Sequence, residues 1–167
     1  GPTRQLFNII RYLDRTIFSV HLITLSPEPK DSLWPMFQEL EISLSCLNFG
    51  RMRGFFISGM ALRRKLSKLE PAIIHTHGLR ADCLSAQLPS QLCRVSTQRN
   101  IPEQDYPALY GHVLGSFIAL LHRRALQRIP VVVACSSTIA QERNKWKSPS
   151  LIINNGVDLE ICPQLPT

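Results

Sequence analysis

A doubly wound α/β fold, Rossmann-like with a parallel sheet and helices on both faces, is the class this sequence predicts. Three observations predict it. Short apolar runs rich in β-branched residues alternate along the chain with longer stretches of helical periodicity. Polar, titratable residues stand directly after those runs, where ligands meet an open parallel sheet. The 167 residues, 44% apolar and 19% charged, suit one domain with a real core.

Leu6, Ile9, Ile10 and Leu13 recur at helical spacing, so residues 3–14 are predicted as a helix with Thr3 as N-cap. Residues 18–25 (FSVHLITL) read as a strand and 26–29 as a proline-rich turn. Asp31 or Ser32 caps a short helix through Leu40, with Pro35 tolerated in its first turn. Residues 42–47 alternate apolar and polar side chains, as a short strand does. Over 59–69, Leu62, Leu66 and Leu69 form one stripe and Arg63, Arg64, Lys65 and Lys68 the other.

Glu70-Pro71 ends that helix. Residues 72–77 form a strand, 79–88 a helix and 93–98 (CRVSTQ) a strand. A polar loop over 100–107 leads to the longest helix, in which Tyr110, Leu114, Phe117, Leu121 and Ala125 share a face. Pro130 stops it. Residues 131–135 are the most apolar strand, Ser136 caps a helix towards Trp146, and 151–153 are the last strand. The domain is expected to span 1–154, with 155–167 a linker. The chain opens on a helix where such a sheet normally begins with its central strand, so the sheet is expected to lack that first strand. Gly1-Pro2 reads either as a tag remnant or as the tail of a glycine-rich turn.

Composition narrows the function. Nineteen basic against twelve acidic residues give a net charge of +7, which suits an anionic partner. No nucleic-acid-binding signature is present, so nucleic acid is not expected. No apolar run nears the roughly 20 residues needed to cross a bilayer. Five scattered cysteines without a CxxC pair favour reduced thiols and a cytoplasmic setting.

The stretch 71–82, PAIIHTHGLRAD, is the most informative. His75, Thr76, His77 and Gly78 close a strand and precede a helix, which makes a substrate crevice the local reading. Taken as alternating positions, His75 and His77 are expected on opposite faces, with only His77 reaching a ligand. A zinc site of His75, His77 and Cys83 lacks a second ligand pair and is not expected, so no metal is assigned. Ser136 and Ser137 lack a G-x-S-x-G frame and read as a helix cap. His21, His112 and His122 are assigned no role. Asp105 is either a solvated loop acid or a ligand for acceptor hydroxyls. The interleaved NFGRMRGFFISGM, with Phe49, Phe55 and Phe56 around Arg51 and Arg53, suits anionic lipid headgroups.

The order of elements, with IIHTHGLRAD, QDYPALYG, VVVACSSTIA and the closing NNGVD, resembles the N-terminal half of family-four GT-B glycosyltransferases. The nearest likeness is to bacterial enzymes that build capsular or other surface polysaccharides. The resemblance covers nearly the whole chain. It implies retaining transfer of a sugar from a nucleotide sugar to a saccharide or lipid-linked acceptor, with no further cofactor. The cleft would lie between two Rossmann-like domains, of which the C-terminal, donor-binding one is expected to be missing here. By the same resemblance Gly1 and Thr3 lie near the donor phosphates. His77, Gly78, Arg80, Asn100 and Asp105 would face the acceptor, and Asn155, Gly156 and Asp158 would mark the crossing between domains.

One departure bears on chemistry. Where relatives read S-T-x-H-N, with a histidine important for catalysis, this chain reads Ser96-Thr97-Gln98-Arg99-Asn100. Arg99 cannot carry protons near neutral pH, though it can bind phosphate or carboxylate bidentately. The sequence therefore leaves two functions open: the acceptor half of a glycosyltransferase, or a non-catalytic ligand-binding module of the same fold.

Overall fold

The computed structural model describes residues 1–50 and 54–157, with backbone alone at 54–58. Arg51, Arg53, Asp158 and Cys162, and the side chains of Phe55 and Phe56, lie outside the described residues. Two compact units emerge, one of Gly1–Asn48 with Asn155–Thr167, the other of Phe49–Asn154.

In the first unit, helix α1 (Pro2–Arg11) precedes strand β1 (His21–Thr24), helix α2 (Trp34–Gln38) and strand β2 (Ser43–Cys46). β1 and β2 pair in parallel, His21 opposite Ser43. Phe7 and Ile10 project from α1 onto Phe37 of α2, the two phenylalanine rings meeting edge to face at 5.5 Å. α1 starts one residue earlier than the sequence predicts. Gly1 is the N-cap and Thr3 lies within the first turn, because Pro2 is pre-set for the first helical position.

The second unit contains α3 (Gly54–Leu69), β3 (Ile73–Thr76), α4 (Leu79–Ser85) and β4 (Cys93–Gln98). After these come α5 (Pro102–Tyr110), α6 (His112–Gln127), β5 (Val131–Ala134), α7 (Ser137–Asn144) and β6 (Leu151–Ile152). Its four strands run in the order β3-β4-β5-β6, each neighbouring pair parallel. All four carboxyl ends therefore lie along one edge. Leu126, Ile129 and Val132 form one core cluster, with Trp146 packed on it, and Ala134, Ile139 and Ala140 form another. The predicted stripe of α3 holds, with Leu66 buried and Arg63, Arg64 and Lys68 exposed.

Two sequence expectations fail here. The segment 100–107 is not a loop: α5 starts at Pro102. A proline at the first helical position followed by Glu103 and Asp105 in the first turn is a start signal that outweighs the polar character of the segment. Gly111, at φ 79° and ψ 163°, then separates α5 from α6 in a conformation that an L side chain rarely adopts.

The buried face of α6 also differs from the predicted one. Of the predicted face Ala125 is buried, but Tyr110, Leu114 and Phe117 are exposed, while Gly115, Ala119, His122 and Leu126 are buried at spacings of four, three and four. Small residues let α6 approach α5 closely: a Cβ on Gly115 would lie 2.4 Å from the backbone of Pro107 and from the Tyr106 carbonyl oxygen. Packing here favours closeness over the larger apolar side chains beside it.

Candidate functional site

The carboxyl edge of the four-stranded sheet gathers the polar residues. β3 runs into His77 and Gly78, β4 into Arg99 and Asn100, and β5 into Cys135 and Ser136. Gly78, at φ 89° and ψ 163°, is the N-cap of α4 and turns the chain out of β3 immediately after His77. Ser136 caps α7, its Oγ accepting from the Ile139 N–H at 3.3 Å, as the sequence predicts.

His77 and Arg99 meet at this edge: Arg99 Nη1 donates to His77 Nδ1 at 2.6 Å. A guanidinium has no lone pair to offer, so Nδ1 is the acceptor and the ring proton resides on Nε2. Burial first, then the neighbouring His75 and the Arg99 charge, push the pKa of His77 down to about 3. The ring is neutral at physiological pH.

His75 does not point to the opposite face. Its ring lies 4.3 Å from that of His77, centroid to centroid. Residues two apart in a strand share a face, so the expectation of opposite faces misapplied the period of two. His75 Nε2 bonds the Thr97 hydroxyl across the β3–β4 pair at 2.8 Å. Desolvation first, then the Arg99 charge, lower its pKa as well. Two neutral imidazoles thus stand beside one fixed cation, and none of the three is a general base of ordinary strength.

Behind this edge runs a buried chain of hydrogen bonds. Thr76 Oγ1 donates to Asp82 Oδ1 at 2.6 Å, and His122 Nε2 lies 2.9 Å from Asp82 Oδ2. His122 Nδ1 lies 2.8 Å from the Tyr106 hydroxyl. A neutral His122 with its proton on Nε2 satisfies both bonds, accepting from Tyr106 and donating to Asp82. Burial pushes the Tyr106 hydroxyl up to about 12, so it stays protonated and donates. The chain ties β3, α4, α5 and α6 together just behind His77.

The other predicted residues fall as follows. Arg80 lies in the first turn of α4. The Asn100 carbonyl accepts from Gln98 Nε2 at 2.9 Å. Asp105 is exposed in α5, where Oδ2 accepts from the Ile101 N–H at 2.9 Å, satisfying a backbone donor at the helix start. Gly1 and Thr3 belong to the first unit, exposed on α1. So do Asn155 and Gly156, the latter accepting from Gln5 Nε2 at 2.9 Å. The structure brings together His77, Gly78, Arg99 and Asn100.

Sequence reasoning missed Asp82, His122, Tyr106 and Thr76. The available signal was the spacing of Gly115, Ala119, His122 and Leu126, which places a histidine on a stripe of small and apolar residues. A histidine on such a stripe needs a buried partner.

A parallel α/β unit with its polar groups at the strand ends defines a Rossmann-like domain. The family model described as Glycosyltransferase Family 4 matches residues 1–161. The chain belongs to this family, and its function is of the glycosyltransferase type. No curated protein matches the chain.

Proposed function

We propose that this chain is the N-terminal, acceptor-binding half of a retaining glycosyltransferase. In this reading a saccharide or lipid-linked acceptor lies at the carboxyl ends of β3 and β4. A second, donor-binding domain supplies the nucleotide sugar. The observation that carries the reading is the meeting of His77 and Arg99 at one strand edge in a chain of this family.

The residues divide the work. Gly78 leaves the backbone open beside the acceptor, and His77, neutral and fixed in one tautomer, orients a hydroxyl. Arg99 contributes charge and hydrogen bonds but moves no proton. Transfer needs donor and acceptor held in a near-attack arrangement, so one half of the cleft is expected to transfer no sugar. The end product fits capsular or other surface polysaccharide. The exposed Arg63, Arg64 and Lys68 on α3 would face the anionic inner membrane surface, while among the described residues no helix is long and apolar enough to cross a membrane.

The Arg99 substitution favours a second reading, a binding module without chemistry, because the position loses its proton carrier. Saturation-transfer NMR of the purified chain with a panel of neutral and acidic saccharides and a panel of nucleotide sugars tests the proposal. Saccharide signals without nucleotide-sugar signals are expected. Binding of nucleotide sugars alone would overturn the acceptor assignment.

A further inference from the structure

Among the described residues of the second unit, several arginines are tied to the protein through oxygen acceptors, and Arg99 is bonded to a nitrogen instead. Arg94 is buried with Nη1 on the Ser85 carbonyl at 2.9 Å. Arg143 is buried with Nη1 on Gln98 Oε1 and Nη2 on Ser148 Oγ, both at 2.9 Å, and it stacks over Trp146. Arg63 donates to the Gln87 carbonyl at 2.7 Å. These are structural uses of the guanidinium. Arg99 shares with Arg94 and Arg143 a buried Nε without a partner, but differs in its acceptor: its one bond goes to an imidazole nitrogen, where the others reach oxygen.

Among the described residues of α4, α5 and α7, every carboxylate already has a partner. Of the acids on α4, α5 and α7, Asp82 is held by Thr76 and His122, and Glu103 lies 3.7 Å from Arg123. Asp105 accepts from the Ile101 N–H, and Glu142 pairs with Lys145. His77 adds a second unmet donor, since the Nε2 that carries its proton is buried with no partner. A partly desolvated cation beside an orphaned N–H, in a chain of net charge +7, lacks lone pairs and negative charge. An oxyanion supplies both.

We propose that Arg99, braced by His77 at the carboxyl ends of β3 and β4, forms an oxyanion subsite that takes a phosphate or carboxylate group of the acceptor. The proposal rests on the acceptor-side reading above and narrows it: the acceptor carries a negative charge next to the hydroxyl that receives the sugar. The position where relatives hold a histidine is then a specificity determinant here.

The test titrates the purified chain with inorganic phosphate and, separately, with acetate, against sodium chloride at matched ionic strength. The readout is the NMR shifts of the Gly78 and Asn100 amides and of the Arg99 Nε–H. Saturable shifts at these positions with phosphate or acetate, absent with chloride, are expected. Arg99→Gln should weaken binding at least about tenfold, Arg99→Lys should retain an intermediate affinity, and Arg124→Gln, at an exposed position of α6, should change nothing. Preference for phosphate identifies a phosphate ester as the source, whereas equal or tighter acetate binding identifies a uronic acid. Shifts that chloride reproduces, or that survive Arg99→Gln, overturn the proposal. If Arg99→Gln does not fold, the wild-type shifts and the Arg99→Lys affinity decide in the same way. Neutral saccharide binding without anion dependence would sink the subsite alone, and anion binding without any saccharide binding would sink the acceptor reading alone.

Discussion

Arg99 Nη1 lies 2.6 Å from His77 Nδ1, so a permanent cation donates to a ring that its surroundings keep neutral. Protonating His77 would turn that acceptor into a donor and set two positive groups against each other. The folded-state pKa of about 3 lies below the ordinary 6.5, so the unfolded chain binds a proton that the folded chain refuses. Stability is complete above about pH 6.5 and declines as pH falls towards 3. His75 contributes in the same direction, with Asp82 the nearby charge that opposes both shifts.

Urea unfolding at pH 7 and pH 5 checks this. At pH 5, about 1.5 units below the ordinary value, the loss attributable to His77 is at most about 2 kcal/mol. The His77→Gln variant, which still offers Arg99 an acceptor, is expected to lose less stability between the two pH values than the parent. An identical loss in both chains would contradict the assignment.

A second prediction concerns the buried Asp82–His122 pair, joined at 2.9 Å with both side chains nearly fully enclosed. His122→Phe leaves a buried carboxylate with Thr76 as its remaining partner and should cost about 3 kcal/mol. Asp82→Asn should cost less, since the amide keeps one acceptor. In a double-variant cycle the combined loss is expected to fall well short of the sum. Strict additivity, measured by chemical denaturation, would mean that the two residues do not act as a pair.

The third prediction is that Gly115→Ala destabilises the chain, although alanine is the better helix former by about 1 kcal/mol. The added Cβ would meet the Pro107 backbone and the Tyr106 carbonyl at 2.4 Å. Overpacking of this kind costs about 1–3 kcal/mol and would shift Tyr106 off His122. A thermal midpoint equal to or above that of the parent would contradict the close approach of α5 and α6.

Cysteine labelling gives a fourth check. Cys46 and Cys93 are exposed, whereas burial pushes the Cys83 thiol up to about 11. Iodoacetamide at neutral pH should modify Cys46 and Cys93 well before Cys83, because the thiolate is the reacting species. Early modification of Cys83, read by peptide mass, would place α4 differently.

Much of the fold was legible because strand signals are local. The run VVVA became β5, one residue shorter than predicted, and CRVSTQ became β4 with its predicted bounds. What the sequence hid was decided by packing between helices. Proline and two acids began α5 where a polar loop was expected, and Gly115 selected a face of α6 that side-chain size alone argues against. At the site, His77 and Arg99 could be placed at strand ends by position, and the structure adds that they bond. The Asp82–His122–Tyr106 chain spans forty residues of sequence, and short-range patterns carry no record of such a pairing. The histidine faces were legible and misjudged: a period of two puts His75 and His77 side by side.

The most direct test of the account is where an acceptor binds. Amide shifts of the labelled chain, followed during titration with acidic and neutral saccharides, report that position. Perturbations clustered at Gly78, Arg99, Asn100 and Ser136, the carboxyl ends of β3, β4 and β5, are the predicted result. Perturbations confined to the groove between α5 and α6, lined by Glu103, Ser116 and Arg123, would contradict it.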